Sequence, residues 1–238
     1  MSQLPWLESG STQFPNTDLA LEDPNGLLAA GDTLTSNQLL AAYQRGIFPW
    51  FEDGQPVLWW SPSPRLVLKP SELHISKSMK KVLRRGQYQV TTDTCFDTVI
   101  RACAEPRDDQ DGTWITEEII DAYNRIHDLG YAHSVEVWQD KQLIGGLYGI
   151  AMGKVFFGES MFSLASNASK YGFITLAESL GAMGYQLIDC QVHTSHLASL
   201  GATEIPRPEF EDYLLNSIED PAQKPQWPKC FRSPGPQP

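Results

Sequence analysis

Apolar positions along the chain follow two periods, one typical of helices and one typical of strands. An early helix begins at Ser36, places Leu39 and Tyr43 on one side and ends at Gly46. Further helices are predicted at residues 94–104, 116–129, 169–183, 195–200 and 209–218. Strands are predicted at residues 65–69, 88–92, 134–138, 143–151, 155–157 and 185–190. Helices that flank a mostly antiparallel set of strands predict an α+β fold.

The chain before residue 62 differs in composition from the rest. Its first 35 residues are rich in Gly, Pro, Ser and Asn and show no sustained period, which is typical of irregular coil with short strands. Two aromatic segments follow, FPWF and VLWW, and then the segment SPSPR at residues 61–65. Because two prolines stiffen that segment, we predict a domain boundary near residue 62. A small N-terminal α/β domain would cover residues 1–62, and a larger domain with a proline-rich tail would cover residues 63–238.

The overall composition is that of a folded globular protein, with 41% hydrophobic and 20% charged residues. The first residues lack the features of a signal peptide, and glycines interrupt the longest hydrophobic stretch, at residues 143–152. We therefore expect a soluble cytoplasmic protein. The four cysteines form no CxxC pair, so no structural zinc site is expected. The motifs GxxxxGKS/T, GxGxxG and GxSxG do not occur, which argues against the common nucleotide-binding and serine-hydrolase sites.

The net charge of −11 is unevenly distributed, although its sign argues against a protein that coats nucleic acid through bulk charge. Residues 63–85 contain seven bases and one acid, whereas residues 86–140 contain three bases and twelve acids. In the basic block, Ser76 can cap a helix that Gly86 would end. Five bases cluster along this helix and form either a solvated helix face or a phosphate-binding patch: Lys77, Lys80, Lys81, Arg84 and Arg85.

The apolar segment LIDCQ, at residues 187–191, carries two polar side chains. In a regular strand, Asp189 and Gln191 would lie on the same face because strand residues alternate. Burial of an unpaired carboxylate is costly, so such a pair needs a purpose. It can orient the amide carbonyl toward an amine or relay a proton. The alternative is an aspartate at the strand end that only caps the following turn.

A glycine-dense run at residues 145–163 surrounds Glu159 with apolar side chains. Glycines within strand patterns indicate bulges or places where a ligand approaches the backbone closely. An acid in such surroundings suits recognition of an amino group, and the alternative is an acid in a surface loop. Trp50 and Trp114 follow irregular segments, where their rings could stack on bases, although core packing is the commoner role of tryptophan.

Several motifs follow one another along nearly the whole chain. They are NGLLAAGDTLTSNQLLAAYQRGIFPWF, VLWWSPSPR, LHISKSMKK, GTWIT, HSVEVW, GGLYGIAMGKVFFGESMFS, NASK and LIDCQ. In this order they closely resemble the leucyl/phenylalanyl-tRNA–protein transferase family. FPWF, WWSP, GESMFS and DCQ in series form a far more specific signal than any one of them.

The resemblance implies a fold and an activity. The C-terminal domain would be of the GCN5-related N-acetyltransferase (GNAT) type, with a mostly antiparallel sheet flanked by helices. The enzyme would move Leu or Phe, and less readily Met, from aminoacyl-tRNA to the α-amine of proteins that begin with Arg or Lys. The product would be a degradation signal of the bacterial N-end rule pathway. Neither a metal nor a diffusible cofactor is implied, since aminoacyl-tRNA is a substrate.

The resemblance also implies roles for the residues that match the family's motifs. Asp189 and Gln191 resemble the family's proposed catalytic pair. The site of the 3′-terminal adenosine and aminoacyl group is implied for Tyr43, Trp50, Trp114 and Tyr123. The pocket for the amino-acid side chain is implied for Leu147, Gly158, Glu159, Met161, Phe173, Leu176, Leu180 and Ile188. The tRNA backbone is implied to bind Lys77, Lys80, Lys81, Arg84 and Arg85.

Three pocket positions depart from the family's pattern. Leu147 stands where Met is expected, and Leu176 and Leu180 stand where Phe is expected. All three remain apolar, so the pocket is retained. Changes of this size alter selectivity by about 1–3 kcal/mol, which bears on the preference among Leu, Phe and Met.

The implied reaction is aminolysis of an activated ester. In our hypothesis Gln191 accepts a hydrogen bond from the incoming α-amine, while Asp189 fixes and polarises Gln191. The proton leaves either through this pair or through the 2′-hydroxyl of the tRNA. Asp108, Asp109 and Asp111 are candidates for contact with the cationic first residue of the acceptor protein.

Two other functions are open at this point. The fold alone suggests an N-acetyltransferase that uses acetyl-CoA, but the segment FSLASNASK before the predicted helix at 169–183 lacks the expected pyrophosphate loop. The other alternative is a tRNA-binding or peptide-binding module without catalysis. The presence of both Asp189 and Gln191 beside the pocket argues against that alternative.

Overall fold

A computed structural model describes residues 4–106 and 113–218, together with residues 224, 226–228 and 231, and shows two sheets. The smaller sheet has four short strands in the order β1-β2-β4-β3. They are β1 (Trp6–Leu7), β2 (Leu27–Gly31), β3 (Phe48–Pro49) and β4 (Val57–Trp60). The predicted early helix is confirmed as α1 (Ser36–Tyr43), where Thr35 and Gln38 form a capping box that satisfies free backbone groups.

The larger sheet has seven strands in the order β11-β5-β10-β9-β8-β7-β6. They are β5 (Arg65–Leu68), β6 (Gln89–Thr92), β7 (Ala132–Gln139), β8 (Gln142–Met152), β9 (Val155–Ser163), β10 (Leu187–Gln191) and β11 (Thr203–Ile205). Strands β9 and β10 run parallel, and the other neighbouring pairs of this sheet are antiparallel. The predicted α+β fold with a mostly antiparallel sheet is therefore confirmed.

Six α-helices accompany the larger sheet within the described residues. They are α2 (Lys77–Arg85), α3 (Phe96–Ala104), α4 (Glu117–Asp128), α5 (Ala168–Ala182), α6 (Ser195–Ala198) and α7 (Arg207–Ser217). All six were predicted from the sequence to within a few residues at their ends, where assignments normally vary. In these segments no helix combines the length and the apolar character that crossing a membrane requires.

Two apolar cores lie on opposite faces of the larger sheet. Alternation along β8 sends Leu147 into one core and Tyr148 into the other. The core on the Leu147 side is closed by α2 and α5. The core on the Tyr148 side is closed by α3, α4 and the smaller sheet, whose buried Trp59 belongs to the same cluster. One continuous core therefore joins the smaller sheet to the larger one.

Helix α2 matches its prediction at both ends. Ser76 Oγ accepts a hydrogen bond from the backbone nitrogen of Met79 at 3.2 Å. Gly86 ends the helix with a φ of 60°, in the left-handed region that glycine adopts readily. Met79 and Leu83 are buried, whereas all five bases of the helix are exposed. The helix is therefore amphipathic, with its charge directed to solvent.

Strand β9 is longer than predicted. The apolar run predicts an end at Phe157, but the strand continues to Ser163. Its pairing with β8 shifts register between Tyr148 and Gly149, so that Glu159 is the extra residue of a β-bulge. The glycine and the acid that interrupt the apolar pattern therefore mark a bulge within the strand and not its end.

Arg65 is a buried charge with contacts to several elements of the fold. Its side chain is completely buried, and Nε and Nη2 donate to the two carboxylate oxygens of Asp189 at 2.8 and 2.7 Å. Nη1 donates to the carbonyl oxygen of Gly46 at 3.0 Å. The guanidinium lies over the rings of Phe48 at 4.8 Å and Phe210 at 4.6 Å. One side chain thus connects β5, β10, the end of α1, β3 and α7.

The surface charge of the basic block differs from the simple count of its residues. Arg65 contributes nothing to the surface because it is buried against Asp189. Lys69 lies 3.7 Å from Glu72 in an exposed ion pair. The exposed positive surface of residues 63–85 is therefore the face of α2 alone.

The described residues of the tail pack against the larger sheet. Trp227 stacks on His133 with ring centroids 4.2 Å apart, and it also contacts Phe156. Thr92 Oγ1 donates to the carbonyl oxygen of Pro228 at 2.5 Å. These contacts place the tail over β6 and β7. The rest of the proline-rich segment predicted to be extended lies outside the described residues.

We expect Arg65→Met to lower the free energy of unfolding by about 3–5 kcal/mol, because it leaves the carboxylate of Asp189 buried without its cation. Methionine keeps a long side chain between the two phenylalanine rings, so the loss reports mainly on the charge. Urea unfolding followed by circular dichroism measures the change.

The matched control for this prediction is Glu72→Gln, which removes one partner of an exposed ion pair. It should cost less than about 1 kcal/mol, because solvent screens such pairs. Equally small losses in the two variants would show that the buried pair does not hold the fold together.

Candidate active site

Two β-bulges meet where the parallel strands β9 and β10 stop pairing. The last paired residues are Phe157 and Asp189. Beyond them, β9 bulges at Glu159, and the pairing of β10 with β5 shifts register between Asp189 and Gln191. Gln191 has a φ of 55°, which is a strained value for a residue with a side chain. Bulges redirect side chains, and here they bring Glu159 and Gln191 together.

Asp189 is fully buried and holds the backbone of this corner. Its Oδ1 accepts hydrogen bonds from Arg65 Nε and from the backbone nitrogen of Gln191, the latter at 3.0 Å. Its Oδ2 accepts from Arg65 Nη2. The regular alternation expected for LIDCQ is interrupted by the bulge, so the carboxylate contacts the backbone of Gln191 and not its amide group. The turn-capping contact that the sequence allows is present, but it is one of three bonds.

A chain of hydrogen bonds leads from Gln191 to the end of α1. Gln191 Nε2 donates to Glu159 Oε1 at 3.3 Å, and the Tyr123 hydroxyl donates to Glu159 Oε2 at 3.0 Å. The hydroxyl of Tyr43 is bonded to that of Tyr123. Since the proton of Tyr123 goes to Glu159, Tyr43 is the donor to Tyr123. Among the described residues, none donates to Oε1 of Gln191.

Burial sets the electrostatics of this chain. It raises the pKa of Glu159 to about 7, while the nearby hydroxyls of Tyr43 and Tyr123, together with the charge of Arg65, oppose the rise. Burial, reinforced by the charge of Glu159, also raises the pKa of Tyr43 and Tyr123 well above the usual range. Near neutral pH both tyrosines are therefore protonated donors, and Glu159 changes its charge.

The apolar residues implied for the side-chain pocket lie together on the α5 face of the sheet. Leu147 and Met161 are opposite one another in the β8–β9 pair. Met161 is partly buried, and it packs on a cluster that includes Leu147, Phe173, Leu176, Leu180 and Ile188. Gly158 lies at the edge of this set, where an added Cβ would be 3.5 Å from the carbonyl oxygen of Asp189. The carboxylate of Glu159 is bonded instead to α4, on the opposite face.

The four aromatic residues implied for the adenosine site fall into two groups. Tyr43 and Tyr123 are completely buried and bonded to each other. Trp50 is 46% exposed, and its ring lies 5.5 Å from that of Trp60. Trp114 is partly buried against the core closed by α3 and α4. Trp50 is thus the member of the set that offers the most free surface.

The other candidates lie away from this corner or outside the described residues. The exposed bases of α2 lie on the helix that packs, through Met79 and Leu83, on the α5 side of the sheet. Asp108, Asp109 and Asp111 lie outside the described residues. Within the described part of the chain, no three His, Cys, Asp or Glu side chains are grouped in a way that could hold a metal ion.

Arg65 is the residue of this site that the sequence analysis missed. In the sequence it is only one of the seven bases of residues 63–85. A signal was present, because an arginine that opens the apolar segment RLVL must find an anion if that strand is buried. The aspartate in the apolar segment LIDCQ must likewise find a cation if its strand is buried. What the sequence did not show is that β5 and β10 are neighbours.

Known proteins resemble this chain along most of its length. Among solved structures, matches include L-PGS from Bacillus licheniformis, with a TM-score of 0.40 and 11% identity over 72% of this chain and 57% of that one. A GCN5-related N-acetyltransferase from Kribbella flavida matches with a TM-score of 0.36 and 10% identity over 69% of this chain and 58% of that one.

Sequence relatives are much closer. A leucyl/phenylalanyl-tRNA–protein transferase of Pseudomonas fluorescens is 58% identical over 92% of this chain and 96% of its own length. Those of Cellvibrio japonicus and Saccharophagus degradans are 56% and 55% identical, over 93% and 97% of this chain and 94% and 93% of their own lengths. The family model described as leucyl/phenylalanyl-tRNA protein transferase matches residues 67–215, and the model of its N-terminal domain matches residues 32–63. The chain therefore belongs to the leucyl/phenylalanyl-tRNA–protein transferase family.

Proposed function

We propose that this protein transfers Leu or Phe from aminoacyl-tRNA to the N-terminal α-amine of acceptor proteins, which creates an N-end rule degradation signal. The observation that carries the activity is 55–58% identity to transferases of that name over more than nine-tenths of the chain. Met would be a poorer donor residue, and acceptors would begin with Arg or Lys. The reaction would take place in the cytoplasm, where aminoacyl-tRNA is made.

The reaction requires little more than positioning. The aminoacyl ester already supplies the driving force, so the protein must align the amine, remove one proton and stabilise an oxyanion. Gln191 suits the first task. Its Nε2 is committed to Glu159, and its Oε1 is therefore directed away and can accept a hydrogen bond from the amine.

Asp189 acts in this proposal as a positioning residue. Both of its oxygens are bound by Arg65, and its contact with Gln191 is to the backbone nitrogen. That bond supports the left-handed backbone that turns the side chain of Gln191 toward Glu159. Our hypothesis from the sequence has Asp189 polarise the side-chain amide of Gln191. The hydrogen bond between the two residues is made instead by the backbone nitrogen of Gln191, and its side-chain amide bonds to Glu159.

The apolar cluster on the α5 face is the proposed pocket for the transferred side chain. Leu147, Met161 and Phe173 offer an apolar lining beside the bulge of β9. Leu, Phe and Met have unbranched Cβ atoms and could enter a narrow slot, whereas Ile and Val would clash near its mouth. Leu176 and Leu180 are smaller than the Phe of the family pattern, and this difference would leave more room for Phe.

The tRNA is proposed to meet two surfaces. The exposed lysines and arginines of α2 suit its phosphates, and the exposed ring of Trp50 suits stacking on the terminal base. The buried Tyr43 and Tyr123 would support the aminoacyl end through Glu159. The acidic surroundings of residues 86–140 suit a cationic first residue of the acceptor.

We expect purified protein to move radiolabelled Leu or Phe from tRNA to a peptide that begins with Arg, and we expect Gln191→Ala to slow this transfer by about 10²-fold. The cause is loss of the carbonyl that receives the amine. Gln186→Ala, at an exposed glutamine just before β10, is the matched control and should keep full activity. Turnover of acetyl-CoA in place of transfer would show an acetyltransferase, and tRNA binding without transfer would show a non-catalytic module.

Replacing Lys77, Lys80 and Lys81 by Gln should weaken binding of aminoacyl-tRNA and reduce the salt dependence of that binding. The slope of log affinity against log salt should fall by about 1 for each phosphate that the variant no longer binds. Lys141→Gln, at an exposed turn between β7 and β8, provides the control for removal of a positive charge. If the triple variant kept the slope of the unmodified protein, the face of α2 would be only a solvated surface.

A further inference from the structure

The hydrogen bonds of Glu159 to Gln191 and Tyr123 point to a role in the chemical step, in addition to the implied role in the side-chain pocket. We propose that Glu159 is the catalytic proton acceptor that removes one proton from the α-ammonium group of the acceptor protein, with Tyr123 and Tyr43 as positioning residues. This proposal rests on the proposed transfer activity. It is needed because an α-amino group has a pKa of about 7.7–8.0, so that most of it is protonated and not nucleophilic at neutral pH.

The geometry places the carboxylate where the amine must arrive. Glu159 is the extra residue of the bulge in β9, and it is partly and not completely buried. Its Oε1 lies 3.3 Å from Gln191 Nε2. An amine that bonds to the carbonyl of that same amide group therefore lies next to the carboxylate, and its positive charge is drawn to the same point.

The neighbouring groups are unsuited to take the proton. Asp189 is fully buried, and both of its oxygens are held by the guanidinium of Arg65. Proton acceptance there would leave the buried Arg65 without its anion, which is strongly unfavourable. The amide of Gln191 is not a base. Glu159 is thus the carboxylate of this corner that has both access and freedom to change its charge.

The surroundings of Glu159 match it to this task. The titratable or charged groups that face it are Tyr43 from α1, Tyr123 from α4, Tyr148 from β8, Arg65 from β5 and Asp189 from β10. Burial raises the pKa of Glu159 to about 7, and the hydroxyls of Tyr43 and Tyr123 limit the rise. A base is most effective when its pKa lies near the working pH.

The proposed step balances without another reagent. One N–H proton of the α-ammonium moves to the carboxylate of Glu159, and the neutral amine attacks the ester carbonyl carbon. The C–N bond forms and the bond to the ribose oxygen breaks. A second proton of the attacking nitrogen passes to that oxygen, which becomes a hydroxyl. Glu159 then releases its proton to solvent.

The test compares the pH dependence of transfer from Phe-tRNA to a peptide that begins with Arg, for the unmodified protein and Glu159→Gln. For the unmodified protein, kcat/KM for the peptide should rise with pH through the pKa of Glu159, which is about 7. Near pH 7, Glu159→Gln should lower kcat/KM by about 10²-fold. By about pH 9 the peptide amine is already neutral, so this loss should shrink by about three- to fivefold.

Two tyrosine variants separate this role from a merely structural one. Tyr123→Phe removes a donor that stabilises the charged carboxylate, so the pKa of Glu159 should rise and the midpoint of the acid limb should move to higher pH. Tyr148→Phe is the matched control. Its ring is equally buried and packs edge-on against Tyr123 at 5.6 Å, but within the described residues its hydroxyl has no hydrogen-bond partner. Its midpoint should not move.

Either of two results overturns the proposal. One is a loss in Glu159→Gln that is absent or does not change between about pH 7 and about pH 9. The other is an acid limb that stays in place in Tyr123→Phe. Failure of the unmodified protein to transfer at any pH would be a different result, because it would remove the proposed function itself.

Discussion

The buried ion pair between Arg65 and Asp189 is the constraint on which the rest of the structure depends. Two charges taken out of water are stable only when their geometry satisfies both of them. Here the guanidinium binds both carboxylate oxygens, a backbone carbonyl and the faces of two phenylalanine rings. Its partners come from both sheets and from α7. The packing of the smaller sheet on the larger one and the position of β10 therefore depend on the same contact.

The ion pair also explains how an unfavourable backbone is kept at the site. Gln191 adopts a left-handed φ of 55°, which costs about 1–3 kcal/mol for a residue with a side chain. The hydrogen bond from its backbone nitrogen to Asp189 offsets part of this cost, and Asp189 can accept that bond in a fixed position because Arg65 holds it. The rigid ion pair in the core thus fixes the direction of the side-chain amide of Gln191.

Local features of this fold could be predicted from the sequence, and contacts distant in the sequence could not. Ser76 and Gly86 bounded α2 correctly, because capping is decided within a few residues. The predicted end of β9 was wrong, because a bulge is defined by the pairing of two strands. When the partner strand is unknown, Glu159 looks like the point at which the apolar strand pattern ends. Arg65 and Asp189 are 124 positions apart, and only the order of strands in the sheet brings them into contact. The family's motifs predict which residues form the site, but they do not predict which of those residues bond to each other, nor that Arg65 lies among them.

Two carboxylates that lie close together in this corner are suited to different work because their neighbours differ. The charge of Asp189 raises the pKa of Glu159, but the charge of Arg65 lowers it, so the two partners of the ion pair oppose each other in their effect on Glu159. Burial is then the largest cause of the shift. Asp189 is paired with a permanent cation, whereas the partners of Glu159 among the described residues are neutral hydroxyl and amide donors. Within that part of the chain, protonation of Glu159 therefore breaks no ion pair. Removal of a proton from an incoming cation requires a carboxylate that can be neutralised at little cost. Glu159 meets this requirement, and Asp189 does not.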